Sequence, residues 1–216
     1  SLPIHQIEAD VQQQGSIWRV AEAQINLGTG HLTAEGSYDT SNHNVQGKAL
    51  LHQVSPAALW STLDPAPLKG HVTATTQAAV DGAAGGAADS AAQVDFEVDI
   101  AAARGPATGR VVRTAHSSSP LRIDALRAQG QWKAPVLTLQ QLHLNALQAQ
   151  LDSKQLEFHS DTLQVRTSAQ LQAPGTQLQL QGHISPDDGA GQATLQLQSA
   201  PQMLAWLQRL PGMGTA

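Results

Sequence analysis

The residues of this chain whose types could carry chemistry are nine histidines and one acidic run. The histidines are His5, His31, His43, His52, His71, His116, His143, His159 and His183. None forms an HxxxH pair with a Glu or Cys nearby; His159 with Asp161, and His31 with Glu35, come nearest to ligand spacing. Several fall at strand positions that face solvent, where imidazole is an ordinary polar surface group, so no metal site is expected. Asp95, Glu97 and Asp99 put three carboxylates on one side of one strand. Calcium takes about six to eight oxygens, usually gathered by a loop. The run therefore reads as the wet side of a strand whose dry side is Val94, Phe96, Val98 and Ile100. Asp187-Asp188-Gly189 reads as a turn by the same logic.

Catalytic templates find no match. Ser117, Ser118 and Ser119 follow His116, but adjacency in sequence does not make a triad, and there is no GxSxG elbow. Gly28-Thr29-Gly30 lacks the third glycine and the following helix of a dinucleotide site, and no Walker lysine motif is present. Spacing does not exclude a pair of glycosidase carboxylates. Carbohydrate sites present aromatic platforms, however, and Trp18, Tyr38, Phe96, Trp132 and Phe158 are dispersed. The chain is expected not to be an enzyme and to need no cofactor.

Composition narrows the partners. The net charge is -5 and the Lys and Arg residues are scattered, so the basic footprint of a nucleic-acid binder is missing. There is no Cys, hence no disulfide framework and no thiolate metal site. Charged residues make up 13 % of the chain and aromatics 3 %, where an ordinary globular domain carries about a quarter charged. Ala, Gln, Leu, Thr and Ser fill the space: small polar groups over an aliphatic lining. No apolar run reaches the about 18 residues of a spanning helix. Ser1-Leu2-Pro3-Ile4 is not a signal peptide, so a signal or anchor is expected outside this chain.

The elements that must position these residues are strands. Leu178, Leu180 and Gly182 alternate with Gln177, Gln179 and Gln181; Leu195 and Leu197 alternate with Thr194, Gln196 and Gln198. The same period of two runs through Leu163, Val165, Thr167, Ala169 and Leu171, through Val94 to Ile100, and through Val72, Ala74, Thr76, Ala78 and Val80. Successive strand side chains point to opposite faces, so each run has one dry and one wet face. Turn chemistry at Gly28–Gly30, Asp39–Asn44, Ser117–Pro120, Pro174-Gly175 and Ser185–Gly189 spaces about a dozen strands.

The fold expected is mainly β: one continuous antiparallel meander over 1–216, curled into a trough with a hydrophobic interior. Two short helices interrupt it, near 55–63 and 200–210. Each follows a strand, opens with Ser and Pro, carries Leu and Trp, and runs into a Pro. They mark repeat units 1–63 and 64–210. The Ala/Gly-rich stretch 81–93 reads as a flexible loop.

The phrase Val54-Ser55-Pro56-Ala57-Ala58-Leu59-Trp60, then Leu63-Asp64-Pro65, then Leu68-Lys69-Gly70 entering Val72-Thr73-Ala74, resembles the recurrent connector of the TamB and AsmA-like proteins. Gly130-Gln131-Trp132 followed by Val136 to Leu144 is similar to their repeated strand pairs. The resemblance implies an interior slice of a protein anchored in the inner membrane of a Gram-negative bacterium and extending through the periplasm. It implies a long taco-shaped hydrophobic groove that moves phospholipid towards the outer membrane. It also implies a link, through parts of the parent outside this chain, to a TamA-like outer-membrane barrel. That family has no catalytic residues to carry over.

By parity, the groove residues expected are Val72, Val80, Val94, Phe96, Val98, Ile100, Leu163, Val165, Leu171, Leu178, Leu180, Leu195 and Leu197. A second reading is a structural or interaction protein, a β-solenoid-like spacer or adhesin stalk with a filled core. Uneven strand lengths and inserted helices favour the trough.

Overall fold

The computed structural model describes residues 4–58, 63–77, 93–103, 122–208 and 210. They form a single sheet of twelve strands, each paired antiparallel with its sequence neighbours. The strands are β1 (Ile4–Gln14), β2 (Ile17–Leu27), β3 (Gly30–Asp39), β4 (Asn44–Val54), β5 (Leu68–Gln77) and β6 (Gln93–Ala102). The second half comprises β7 (Ile123–Lys133), β8 (Val136–Ala146), β9 (Ala149–His159), β10 (Gln164–Ala173), β11 (Thr176–Ile184) and β12 (Gly189–Leu197). One α-helix follows, α1 (Ala200–Leu207). At about 4.8 Å per step, the sheet is on the order of 53 Å wide. This is the mainly-β antiparallel meander expected. It is open, with β1 and β12 as its edges, and uncurled, which is consistent with a mainly-β trough.

Cross-strand partners share a face, so the register decides which side chains lie together. One row runs through Ala9, Ala23, Ala34, Ala49, Val72 and Val98, then Ala128, Leu142, Ser153, Ala169, Leu180 and Ala193. Every strand contributes one residue and none is charged. The reverse side carries rows such as Glu35, Lys48, Thr73, Glu97 and Gln129.

Strict alternation does not hold along every strand, and the exceptions keep the faces apart. In β2 the apolar phase moves from Trp18 and Val20 to Ala23, Ile25 and Leu27, and the ladder shifts register between Val20 and Ala23. In β8 it moves from Leu137 and Leu139 to Leu142 and Leu144, across the shift at Gln129/Gly130 on β7. In β9 it moves from Leu151 and Ser153 to Leu156 and Phe158, across the shift at Ser168/Ala169 on β10. A one-residue slip turns every later side chain over. A bulge inserted where the sequence slips turns them back.

Several expectations need correction. Leu163 is not in a strand. It closes the turn before β10 with φ 53 and is 58 % exposed, so parity does not reach it. The helix expected near 55–63 is, among the described residues, a single 3-10 turn at Pro56–Ala58, and Leu63 already sits in a β-bridge. The helix expected near 200–210 stops at Leu207, before Leu210. Of the loop 81–93, Gln93 belongs to β6; the rest of it, and Val80, lie outside the described residues.

Burial is sparse, and among the described residues the buried large apolar side chains lie at one rim. The buried apolar side chains are Leu27, Val54 and Leu68, at the strand ends beside the 3-10 turn. Ser153 is buried on the apolar face, where its hydroxyl lies 2.9 Å from the Ser168 carbonyl at the β9 bulge. No large side chain is fully buried among the described residues.

Candidate functional site: the uncharged face of the sheet

Val72, Val94, Phe96, Val98, Ile100, Val165, Leu171, Leu178, Leu180, Leu195 and Leu197 all fall on this one face, joined by direct cross-strand pairing or through shared partners. Residues that sequence reading passed over join them. Ile7, Trp18, Ile25 and Leu32 come from the first three strands, and Leu137, Leu139, Leu142, Leu151 and Phe158 from β8 and β9. The signal that would have found the second group was in the sequence: two alternating runs out of phase by one residue, a bulged strand.

The face has lengthwise texture. Ala and Gly recur in its two middle rows, for instance Gly36 facing Gly47 and Gly182 facing Gly191. On one side of them runs a row of large aliphatics, among them Ile25, Leu32, Leu51, Leu144, Leu151 and Leu171. Among the described residues no second layer covers it: Ile7 is 62 % exposed, Leu195 60 % and Leu180 39 %. Monomeric proteins rarely leave contiguous apolar patches beyond a few hundred Å² open to water, and such patches mark binding surfaces.

The helix α1 lies against the β8–β9 and β10–β11 turns at one rim of this surface without covering it. Ser199 stands at its N-cap in extended conformation and Pro201 enters the first turn. Met203, Trp206 and Leu207 are half-buried, and the Trp206 indole N–H donates to the Leu147 carbonyl (2.9 Å) in the β8–β9 turn. The helix therefore lies along the strand ends at the rim that holds Leu27, Val54 and Leu68.

Comparison with protein-family models, with curated proteins and with solved structures finds no match.

The opposite face gathers the titratable groups. His31 and His52 pair directly and their rings stack at 4.8 Å. His71 faces Glu97 at 4.0 Å, and Asp99 meets Arg127 at 3.3 Å. The acidic run thus spreads its carboxylates over different neighbours. Among the described residues no group of three or more His, Cys, Asp or Glu is placed to hold a metal ion. One open depression, of about 430 Å³, is framed chiefly by polar side chains, Asp124, Asn145, Gln148, Gln150 and Gln172.

The tightest polar network is also on this side. With its proton on Nδ1, His143 donates to Asp152 (2.6 Å) and accepts from Asn145 (3.1 Å), while Gln150 donates to the second Asp152 oxygen (2.7 Å). Both ring nitrogens are engaged, so neither is free to activate a nucleophile. The His143 hydrogen bond holds Asp152 below the usual carboxyl range; partial burial opposes this and Gln150 reinforces it. A depressed pKa contributes stability that is present above the ordinary value, about 4, and lost as pH falls through the folded value. Asp152→Asn is therefore expected to flatten the acid limb of stability below about pH 4. Urea midpoints at several pH values check this; an unchanged acid limb would remove Asp152 from the account.

Proposed function

We propose that this chain is a non-catalytic segment of a periplasmic protein anchored in the inner membrane, and that it shields acyl chains for phospholipid transport towards the outer membrane. By the same reading it supports outer-membrane assembly, with a TamA-like barrel as a partner reached through other parts of the parent. The observation that carries the proposal is the register: every strand contributes uncharged, mostly apolar side chains to one face, and the central row bears no charge across twelve strands. Burial of a methylene from water contributes about 0.8 kcal/mol, so an acyl chain laid on this face is held without a specific pocket. A uniform lining lets it slide without deep traps. The charged groups of the other face keep the sheet in water. The resemblance of the 54–74 connector to the TamB and AsmA-like proteins supports the periplasmic setting.

Native mass spectrometry with lipid extraction tests this on the purified chain. Co-purifying phospholipid is the expected result. A lipid-free protein whose thermal transition does not move when phospholipid is added would sink the proposal.

A further inference from the structure

Of the aromatic residues on the apolar face, Phe96 sits in a middle row opposite Gly130, and the others gather at one rim. Trp18 and Tyr38 are direct cross-strand partners, and Trp132, Leu137 and Phe158 form a continuous run of partners across β7, β8 and β9. All lie one residue in from the strand end at the same rim, the one away from α1. At the other rim the face ends in the strand-terminal Leu27, Val54, Leu68, Ala102 and Leu197, none of them aromatic, and the Trp206 of α1 there gives its indole N–H to the Leu147 carbonyl. Trp18, Tyr38 and Trp132 are 42 %, 39 % and 36 % exposed. The Tyr38 hydroxyl reaches outward to His43 Nδ1 (2.9 Å) in the β3–β4 turn. Neither Trp18 nor Trp132 gives its indole N–H to an acceptor among the described residues.

Trp and Tyr have an apolar body and a polar tip, and they concentrate where hydrocarbon meets water. Resting on the reading above, we propose that this aromatic row is the head-group seam: a diacyl phospholipid lies with its glycerol end at the Trp18–Trp132 rim. Its chains then run along the strands towards the α1 rim. The dimensions agree. From Trp18 to the Ile25 row is seven residues, about 24 Å, and one leaflet's chains are about 15 Å long. The chains end over the Ala and Gly rows, short of the rim that Leu27, Val54 and Leu68 already close.

The test is paramagnetic broadening in NMR spectra of the full chain. The probes are two phosphatidylcholines, with a nitroxide near the glycerol end of one acyl chain or near its methyl end. Expected is the greater loss of Trp18 and Trp132 indole signal with the glycerol-end label, and of the Ala23, Ala128 and Ala169 methyl signals with the methyl-end label. In a Trp18→Leu, Trp132→Leu double variant, lipid is still expected to bind, but the methyl signals no longer distinguish the two labels. The reverse order of broadening, or a double variant that keeps the distinction, overturns the seam and leaves lipid binding intact. No broadening from either label, or a lipid-free pair of chains covering each other's faces, overturns both.

Discussion

Glutamate at both Val165 and Leu180 is expected to empty the protein of phospholipid while the sheet stays folded. The two side chains come from the neighbouring strands β10 and β11, on the same apolar face and two rows apart. Leu180 is 39 % exposed and Val165 half-buried. Neither fills a core, so the loss of packing is small, and the strand-propensity cost is up to about 1 kcal/mol per site. Against acyl chains the balance reverses. An unpaired carboxylate in hydrocarbon is penalised by far more than the about 0.8 kcal/mol that each covered methylene contributes. The control adds the same charge to the same strands on the other face. Gln170→Glu with Gln179→Glu, a directly opposed pair, is expected to keep its lipid. Mass spectrometry reads the lipid and circular dichroism the fold. A folded Val165→Glu, Leu180→Glu protein that still carries phospholipid contradicts the proposed function.

Gly175→Ala is expected to be among the costliest single substitutions, although the residue lies in a surface turn. Its φ is +75, a conformation that costs an L-residue roughly 1–2 kcal/mol. A Cβ there would stand 2.4 Å from the Ser199 carbonyl oxygen and 3.0 Å from Gln202 Cβ. The same carbonyl accepts from Met203 N in the first turn of α1, and Gly175 O accepts from Gln198 and Ser199. The added methyl therefore pushes on the seat of the helix. A total of about 2–4 kcal/mol is expected, within the range of strain and overpacking effects. With α1 displaced, the Trp206–Leu147 bond breaks and tryptophan emission shifts to the red. Gly175→Asn separates the two causes, since Asn tolerates positive φ but needs the same room. A Gly175→Asn protein of wild-type stability would show that backbone strain, not contact with α1, sets the cost.

Period-two alternation was enough to read strands, an antiparallel meander and two faces, because side-chain direction in a strand depends only on position parity. It placed Val72, Val94 to Ile100, Val165, Leu171, Leu178, Leu180, Leu195 and Leu197 on one face, as the register does. It failed at Leu163, because a turn residue obeys no parity. It was silent over β8 and β9, where a bulge changes the phase within a strand.

The β8–β9 turn shows what local sequence does not contain. Two-residue hairpins with positive φ at both positions favour Asn and Gly. Here Leu147 (φ 52) and Gln148 (φ 65) occupy them, and the Leu147 carbonyl is held by Trp206, 59 residues further on. The sequence by itself determined the element type, the polarity of each face and the absence of charge on one of them, since these follow from the order of residues along a strand. Which strands are neighbours, where bulges restore the phase, and the gathering of Trp18, Tyr38, Trp132 and Phe158 at a single rim were decided by the tertiary structure. These depend on the register of one strand against the next, a relation between distant residues that hydrogen bonds and turns set together.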